Sequence, residues 1–152
     1  MKESNENTRA VILRILDANA NRCAEGLRVV EEIARFAIED EGLTARLMGI
    51  RHDIRRSVRA IASNALVERD SAGDVGRASA TRGELSRDSL ESVARANFAR
   101  VEEGLRVLEE FGKLLDENAS LAFKSRRFDL YALEKAFFGR SAGSARMPRS
   151  PF

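Results

Sequence analysis

Arginine and glutamate side chains recur at helical spacing in two separate stretches of this 152-residue sequence. The stretch from Ala18 to Arg35 matches Ala96 to Lys113 without a gap, and ten of the 18 positions are identical. Arginine binds phosphate as a planar fork, and carboxylates are oxygen ligands for Mg²⁺. The repeat is therefore consistent with binding of a phosphate-bearing ligand. Its shared charged residues are Arg22, Glu25, Arg28, Glu31 and Glu32 in the first copy and Arg100, Glu103, Arg106, Glu109 and Glu110 in the second.

Some of these charges also fit a simpler interpretation as solvated ion pairs. Arg28 and Glu32 are four residues apart, as are Arg106 and Glu110. Pairs at this spacing stabilise a helix by about 0.2–0.5 kcal/mol each and need no ligand. Both interpretations stay open from the sequence.

A second group of chemistry-bearing residues lies in the segment from Arg69 to Gly76, with the sequence RDSAGDVG. Glycine lets backbone N–H groups approach an anion, arginine binds phosphate, and aspartate can hold Mg²⁺. The segment lacks the Gly-Lys-Ser/Thr ending of a Walker A loop. Loops of this composition are often plain turns, which is the alternative here.

The positions of two asparagines and two glycines within the repeated helices also require a physical explanation. At 100° per residue, Asn19 falls in the middle of the apolar stripe of its helix and Gly26 beside it, and Asn97 and Gly104 repeat this arrangement. A buried asparagine must be hydrogen-bonded, either across the axis that relates the copies or to a ligand in a cavity. A glycine inside a helix costs about 1 kcal/mol relative to alanine. We therefore predict that the two helices cross closely near Gly26 and Gly104.

The small numbers of cysteine and histidine residues exclude several classes of site. The chain has one cysteine, Cys23, and one histidine, His52, so it can form neither an internal disulfide nor a cysteine-rich zinc site. Cys23 falls on the apolar stripe and its counterpart is Val101, which predicts a buried small hydrophobe. His52 lies between Arg51 and Asp53 and is an ordinary packed or surface histidine unless a ligand is bound there.

The apolar residues recur at helical spacing and predict an all-α fold. Four helices are expected, at about 8–39, 44–62, 88–116 and 121–138, with Gly42 ending the first and a capping box of Asp88 and Glu91 opening the third. A strand at Val11–Leu13 is an alternative without an evident partner. Two hairpins, at about 14–62 and 92–138, would form a four-helix bundle with pseudo-two-fold symmetry and a long central loop at 63–87. Residues 1–138 are expected to form one domain, and residues 139–152 a disordered tail or the start of a linker.

Composition narrows the partners and the compartment. The basic residues number 26 and the acidic residues 24, which argues against nucleic-acid binding. No apolar run reaches the roughly 20 residues of a membrane span, and low cysteine usage favours the cytoplasm. Of the 26 basic residues 22 are arginine, a bias that either codon usage or phosphate binding explains.

The repeat is accompanied by further motifs in a fixed order. These are Arg14-Ile15-Leu16-Asp17-Ala18-Asn19, Asn21-Arg22, Glu25-Gly26-Leu27-Arg28-Val29, Arg51-His52-Asp53, the segment Arg69 to Gly76, Ala96-Asn97, Glu103-Gly104-Leu105-Arg106 and Tyr131-Ala132-Leu133-Glu134-Lys135. With them the chain resembles the monofunctional hydroxymethylpyrimidine phosphate kinase family, from about Arg14 to Phe137. Members of that family occur alone or as the N-terminal extension of thiamine phosphate synthase.

The resemblance implies transfer of the γ-phosphoryl group of ATP to 4-amino-5-hydroxymethyl-2-methylpyrimidine phosphate, a small-molecule substrate, with Mg²⁺ as cofactor. The two copies of the repeat could then offer one phosphate-binding cleft to each substrate. For that reaction we expect Arg22, Arg28, Arg69, Arg100 and Arg106 to act in catalysis. Substrate binding is expected of Asn19, Asn97, Arg51, His52, Gly73 and Gly76, and metal binding of Asp70, Asp74, Glu25 and Glu103.

Two alternatives come from other functional classes. The domain could be a non-catalytic module that binds a ligand or docks onto thiamine phosphate synthase. It could also be a helical interaction protein that forms a homodimer, in which case the segment from Asp70 to Asp74 would be a plain connection. Formation of ADP by the isolated protein distinguishes the kinase from both.

Overall fold

A computed structural model of the chain describes residues 2–63 and 88–143. It contains helix α1 (Lys2–Ile33), a π-helical turn (Ala34–Ile38), α2 (Glu41–Ala62), α3 (Leu90–Gly112) and α4 (Glu117–Gly143). The described residues form no strand, and Val11–Leu13 lies within α1, so the predicted all-α bundle is confirmed. The central segment 64–87 and residues 144–152 lie outside the described part. No described helix is both long and apolar enough to cross a membrane.

The turn between α1 and α2 differs from the prediction that Gly42 ends the first helix. Glu39 adopts a left-handed backbone conformation with φ 59°, and the N–H of Asp40 donates to the Ala34 carbonyl at 3.1 Å. The Asp40 side chain then accepts from the N–H of Leu43 at 2.8 Å. Aspartate is a strong N-cap, so α2 begins directly after it and Gly42 becomes part of its first turn.

The ends of α3 and α4 also differ from the predicted boundaries. The capping box of α3 consists of Ser89 and Ser92, whose hydroxyls each accept from the other residue's N–H, and Asp88 lies just before it. The Ser89 hydroxyl accepts from the N–H of Ser92, whereas the predicted Asp88 carboxylate would have accepted from that of Glu91, so the cap lies one residue later than predicted. Helix α4 continues through Gly143, five residues beyond the predicted end.

Each helix contributes one apolar face to a common core. Helix α1 packs against α2 and α3, and α4 packs against α3 and α2, so the four helices enclose the core in the order α1, α2, α4, α3. The largest buried side chains include Phe98, Phe123 and Phe137. Phe98 and Phe137 meet edge to face with ring centroids 5.2 Å apart, which ties α3 to α4.

The contact between α1 and α3 is centred on the two repeated glycines, as predicted. A Cβ atom on Gly26 would lie 2.7 Å from Cγ2 of Val101, and one on Gly104 would lie 2.6 Å from Sγ of Cys23. Gly26 thus faces Val101 and Gly104 faces Cys23, so the two helices run antiparallel. A pseudo-two-fold axis near Cys23 and Val101 relates them, and the Cys23 thiol donates to the Val101 carbonyl there at 3.6 Å. A Cβ at either position would require a neighbouring side chain to shift, so the two glycines permit this close crossing.

Candidate functional site

A buried carboxylate joins α1 to α2 in the first copy of the repeat. Glu31 is 4% exposed and accepts from Nη1 of Arg28 at 2.9 Å. It also accepts from Nε of Arg51 at 2.9 Å and from Nη2 at 3.3 Å. Two guanidinium groups thus neutralise one carboxylate that would otherwise be costly to bury.

The second copy repeats this arrangement between α3 and α4. Glu109 is 4% exposed and accepts from Nη1 of Arg106 at 3.0 Å and from Nε and Nη2 of Arg127 at 3.1 and 2.9 Å. We call each carboxylate with its two arginines a carboxylate hub: Glu31 with Arg28 and Arg51, and Glu109 with Arg106 and Arg127.

The sequence prediction missed the glutamates at the centre of these hubs. It paired Arg28 with Glu32 and Arg106 with Glu110, and both pairs are present, at 2.6 and 2.8 Å. The same arginines, however, also reach the glutamate three residues on. A signal was available, because both hub glutamates are identical between the copies and a second arginine, Arg51 or Arg127, recurs on the following helix.

The positions of the hubs limit what Arg28 and Arg106 can do together. Each hub glutamate lies eight residues beyond the residue at the pseudo-two-fold axis, in opposite directions, so the hubs are about 24 Å apart along the helix axes. Transfer of a phosphoryl group requires reacting atoms about 3–3.5 Å apart. The two hub carboxylates are therefore too far apart for the two reacting phosphates of one transfer to lie one at each hub, and the expectation of one phosphate-binding cleft for each substrate stays a prediction.

The other repeated charges lie on the opposite side of α1 and α3. Arg22 and Glu31 are nine residues apart, which is two and a half helical turns, and Arg100 and Glu109 are related in the same way. Arg22, Glu25, Arg100 and Glu103 are exposed and form no ion pair with any described residue. We call these four residues the dyad face, because they surround the outer end of the pseudo-two-fold axis.

The arginines of the dyad face lie close to the axis. Arg22 comes one residue before Cys23, and Arg100 one residue before Val101, and these two side chains meet at the axis. The two arginines are therefore offset by only about 3 Å along the helix axes. Glu25 and Glu103 come three residues after these arginines, just under one turn, so they lie on the same surface but on the other side of the axis. Two guanidinium groups and two carboxylates, without partners in the described part of the chain, thus form one exposed charged surface.

The two repeated asparagines are buried beside this surface. The side-chain nitrogen of Asn19 donates to the Ile15 carbonyl at 2.9 Å, and that of Asn97 donates to the Val93 carbonyl at 2.8 Å. These bonds stay within each helix and do not cross the axis. The Oδ1 atom of Asn97 is buried, accepts no hydrogen bond from a described residue, and lies 3.8 Å from the position of a Cβ on Gly26.

The remaining predicted site residues are not gathered with these. His52 is exposed on α2. No group of three histidine, cysteine, aspartate or glutamate side chains that could hold a metal ion occurs within residues 2–63 and 88–143, so Glu25 and Glu103 are not joined by a third protein ligand there. The other predicted residues lie outside the described part: Arg69, Asp70, Gly73, Asp74 and Gly76.

A carboxyl pair between α3 and α4 was also missed from the sequence. The carboxyl groups of Glu102 and Glu134 interact, and Oε1 of Glu102 is shielded from solvent and finds no donor in the described part of the chain. A proton on one of the two carboxyls would supply that donor. Burial, and then the hydrogen bond and the charge of Glu134, raise the pKa of Glu102 from 4.5 to about 7. The first copy has the apolar residues Ala24 and Val58 at the matching positions.

This pair predicts a pH-dependent stability. A carboxyl whose pKa is higher in the folded chain binds its proton more tightly there, so stability falls as pH rises from about 4.5 to about 7. We expect Glu102→Gln to raise the melting temperature at pH 8 and to change it little at pH 5. Glu134→Gln, which removes the neighbouring charge, should weaken the same pH dependence. Thermal melts at both pH values check this, and a Glu102→Gln profile parallel to that of the parent would contradict it.

Comparison with known proteins identifies the relatives of this chain. The model of the ThiD2 family matches residues 14–136. A thiamine-phosphate synthase of Rhodopirellula baltica is 43% identical over 141 residues, which cover 90% of this chain and 38% of the relative. One of Nostoc punctiforme is 39% identical over 138 residues, covering 88% and 37%. One of Thermosynechococcus vestitus is 43% identical over 123 residues, covering 81% and 34%.

The chain thus spans less than two fifths of the length of these curated relatives. No solved structure matches it. The matched region contains both carboxylate hubs and the whole dyad face.

Proposed function

The chain belongs to the ThiD2 family, and on this premise we propose that it acts in thiamine biosynthesis as a phosphotransferase. The proposed reaction transfers the γ-phosphoryl group of ATP to 4-amino-5-hydroxymethyl-2-methylpyrimidine phosphate. The dyad face carries the proposal: its arginines are retained in both copies, exposed, and without partners among the described residues. Packing alone gives no reason to retain Arg22 and Arg100 at such positions.

The proposed chemistry needs positioning more than it needs a nucleophile. The attacking oxygen belongs to a phosphate that is already ionised, so no side chain has to remove its proton. The requirement is that two phosphate groups be held together while their charges are neutralised. Arg22 and Arg100, offset by only about 3 Å along the helix axes, suit this task because each fork can bind the oxygens of one of two adjacent phosphates.

The carboxylates of the dyad face fit Mg²⁺ as the implied cofactor. Mg²⁺ is commonly bound by one or two carboxylates together with water and substrate phosphates. Glu25 and Glu103 are exposed carboxylates without an ion pair in the described part of the chain, so they would hold the ion from the protein side. When bound, Mg²⁺ would neutralise charge on the phosphate oxygens.

The direct test is an assay of the isolated protein. Incubation with ATP, Mg²⁺ and the pyrimidine monophosphate should yield ADP and the pyrimidine diphosphate in equal amounts, detected by chromatography. ADP without the diphosphate would indicate hydrolysis of ATP rather than transfer. If the folded protein forms no ADP, the proposal is wrong.

Substitution of the dyad-face arginines should affect this activity. We expect Arg22→Ala and Arg100→Ala each to lower kcat/KM about tenfold or more, because a charge-assisted hydrogen bond contributes about 1.5–3 kcal/mol. Arg46→Ala is the matched control, since it removes an exposed arginine from α2, away from this surface. Unchanged kcat/KM in both dyad-face variants would remove the site from the proposal while leaving the reaction open to assay.

A second candidate function is a non-catalytic domain associated with thiamine phosphate synthase. One observation favours it: the relatives bear the name of the synthase, and this chain corresponds to little more than a third of their length. In that case the protein would bind the pyrimidine phosphate in a calorimetric titration and form no ADP. It would also raise the rate of a thiamine phosphate synthase assay when added in trans.

A further inference from the structure

The two carboxylate hubs differ at one position. In the second hub Nη1 of Arg127, the guanidinium nitrogen that does not face Glu109, donates to the Tyr131 hydroxyl at 2.9 Å. Tyr131 lies four residues after Arg127, on the same face of α4. Both edges of the Arg127 guanidinium therefore have an acceptor, Glu109 on one edge and Tyr131 on the other.

In the first hub the described residues offer Arg51 no such acceptor. The residue four positions after Arg51 is Arg55, the counterpart of Tyr131, and a guanidinium group cannot accept a hydrogen bond. Arg51 uses Nε and Nη2 on Glu31, and its side chain is only 14% exposed. Its Nη1 group has no hydrogen-bond partner among the described residues. Two cations thus lie one turn apart, where the second hub has a cation and its acceptor.

The first hub also has an additional positive charge beside it. Glu31 is neutralised by Arg28 and Arg51, and Arg28 pairs in addition with Glu32. Arg55 is exposed and forms no ion pair with any described residue, so it adds a positive charge that these residues do not neutralise. Like charges at this spacing repel each other, and an anion between them would reverse that repulsion.

We propose that the first hairpin carries an anion site that the second lacks, in which Nη1 of Arg51 and the Arg55 guanidinium bind one phosphoryl group between them. A phosphate has tetrahedrally arranged oxygens and can accept from two forks that approach from different directions. The bond of Arg51 to Glu31 fixes one fork before the ligand arrives. The site depends only on contacts within the hairpin, so it goes beyond the proposed reaction and holds whether or not the chain transfers a phosphoryl group.

Inorganic pyrophosphate, added without ATP or pyrimidine, is the probe. In NMR titrations of the full chain, the Nε–H signal of Arg51 and the backbone amides of residues 51–55 should shift and saturate. Acetate in place of pyrophosphate should cause much smaller shifts at the same concentration. Equal responses to acetate, shifts that never saturate, or equal shifts at both hubs would each overturn the proposal.

The second hub provides the matched substitution. Arg55→Tyr introduces the acceptor present on α4 and should weaken pyrophosphate binding at least tenfold, whereas Tyr131→Arg should create a second saturable site around Arg127. Arg46→Ala removes an arginine from the opposite flank of α2 and should leave binding within twofold. Arg55→Ala repeats the first test without the tyrosine ring. Arg55→Tyr and Arg55→Ala that both bind like the parent would refute the assignment, and circular dichroism verifies that each variant is folded.

Discussion

Glu31→Gln is expected to lower the free energy of unfolding by about 3–5 kcal/mol, the usual effect of removing one partner from a buried ion pair. Glutamine has the same shape but carries no charge and presents an N–H₂ group to one of two arginines. Arg51, whose side chain is 14% exposed, would then keep a positive charge with little solvent and no counter-ion. Urea denaturation followed by circular dichroism measures the change, and Glu109→Gln should give a similar value in the second hub.

Glu32→Gln is the control for this prediction. Within residues 2–63 and 88–143 Glu32 forms an ion pair with Arg28 alone, and its side chain is 36% exposed, so its substitution should cost less than about 1 kcal/mol. The double variant Glu31→Leu with Arg51→Met should recover more than half of the loss, because apolar residues replace a buried pair at little cost. Equal effects of Glu31→Gln and Glu32→Gln would show that the hub carboxylate has no special role.

The fold could be predicted because its determinants are local. Apolar residues at helical spacing indicated four helices, and the cost of a glycine inside a helix pointed to the crossing at Gly26 and Gly104. The ends of the helices were less accessible, since a chain offers several capping side chains close together. Ser89 rather than Asp88 caps α3. Asp40 is the N-cap of α2, so Gly42 lies in the first turn of α2 and does not end the preceding helix.

The candidate site was harder to predict because its geometry depends on contacts between helices. Spacing within α1 showed that Arg28 could reach Glu32, but only the packing of α2 shows that Arg51 reaches Glu31. The carboxyl pair of Glu102 and Glu134 likewise depends on the register of α4 against α3. Comparison of the copies could have supplied part of this information, because one copy has charged residues where the other has Ala24 and Val58.

The crossing of α1 and α3 leads to a second large expected effect. Gly26→Ala should lower the free energy of unfolding by about 1–3 kcal/mol, as overpacking of a core does. The added methyl group would lie 2.7 Å from Cγ2 of Val101 and 3.1 Å from the backbone carbonyl of Asn97. The valine methyl could move, but the carbonyl belongs to a helix and cannot. The steric cost should therefore exceed the roughly 1 kcal/mol that alanine gains over glycine in a helix.

The same substitution at Gly49 should have the opposite sign. Gly49 is exposed on α2, and a Cβ there would meet nothing within 4 Å, so Gly49→Ala should stabilise the protein by up to about 1 kcal/mol.

A double-mutant cycle isolates the contact between Gly26 and Val101. Val101→Ala should cost less in the Gly26→Ala background than in the parent, because it removes the methyl group that clashes. Gly104→Ala should be milder than Gly26→Ala, since its closest neighbour is the Cys23 sulfur and the backbone carbonyl of Asn19 lies at 3.5 Å. Stabilisation by Gly26→Ala, or additive costs in the cycle, would mean that the helices can separate and that the position of the dyad-face arginines does not depend on the two glycines.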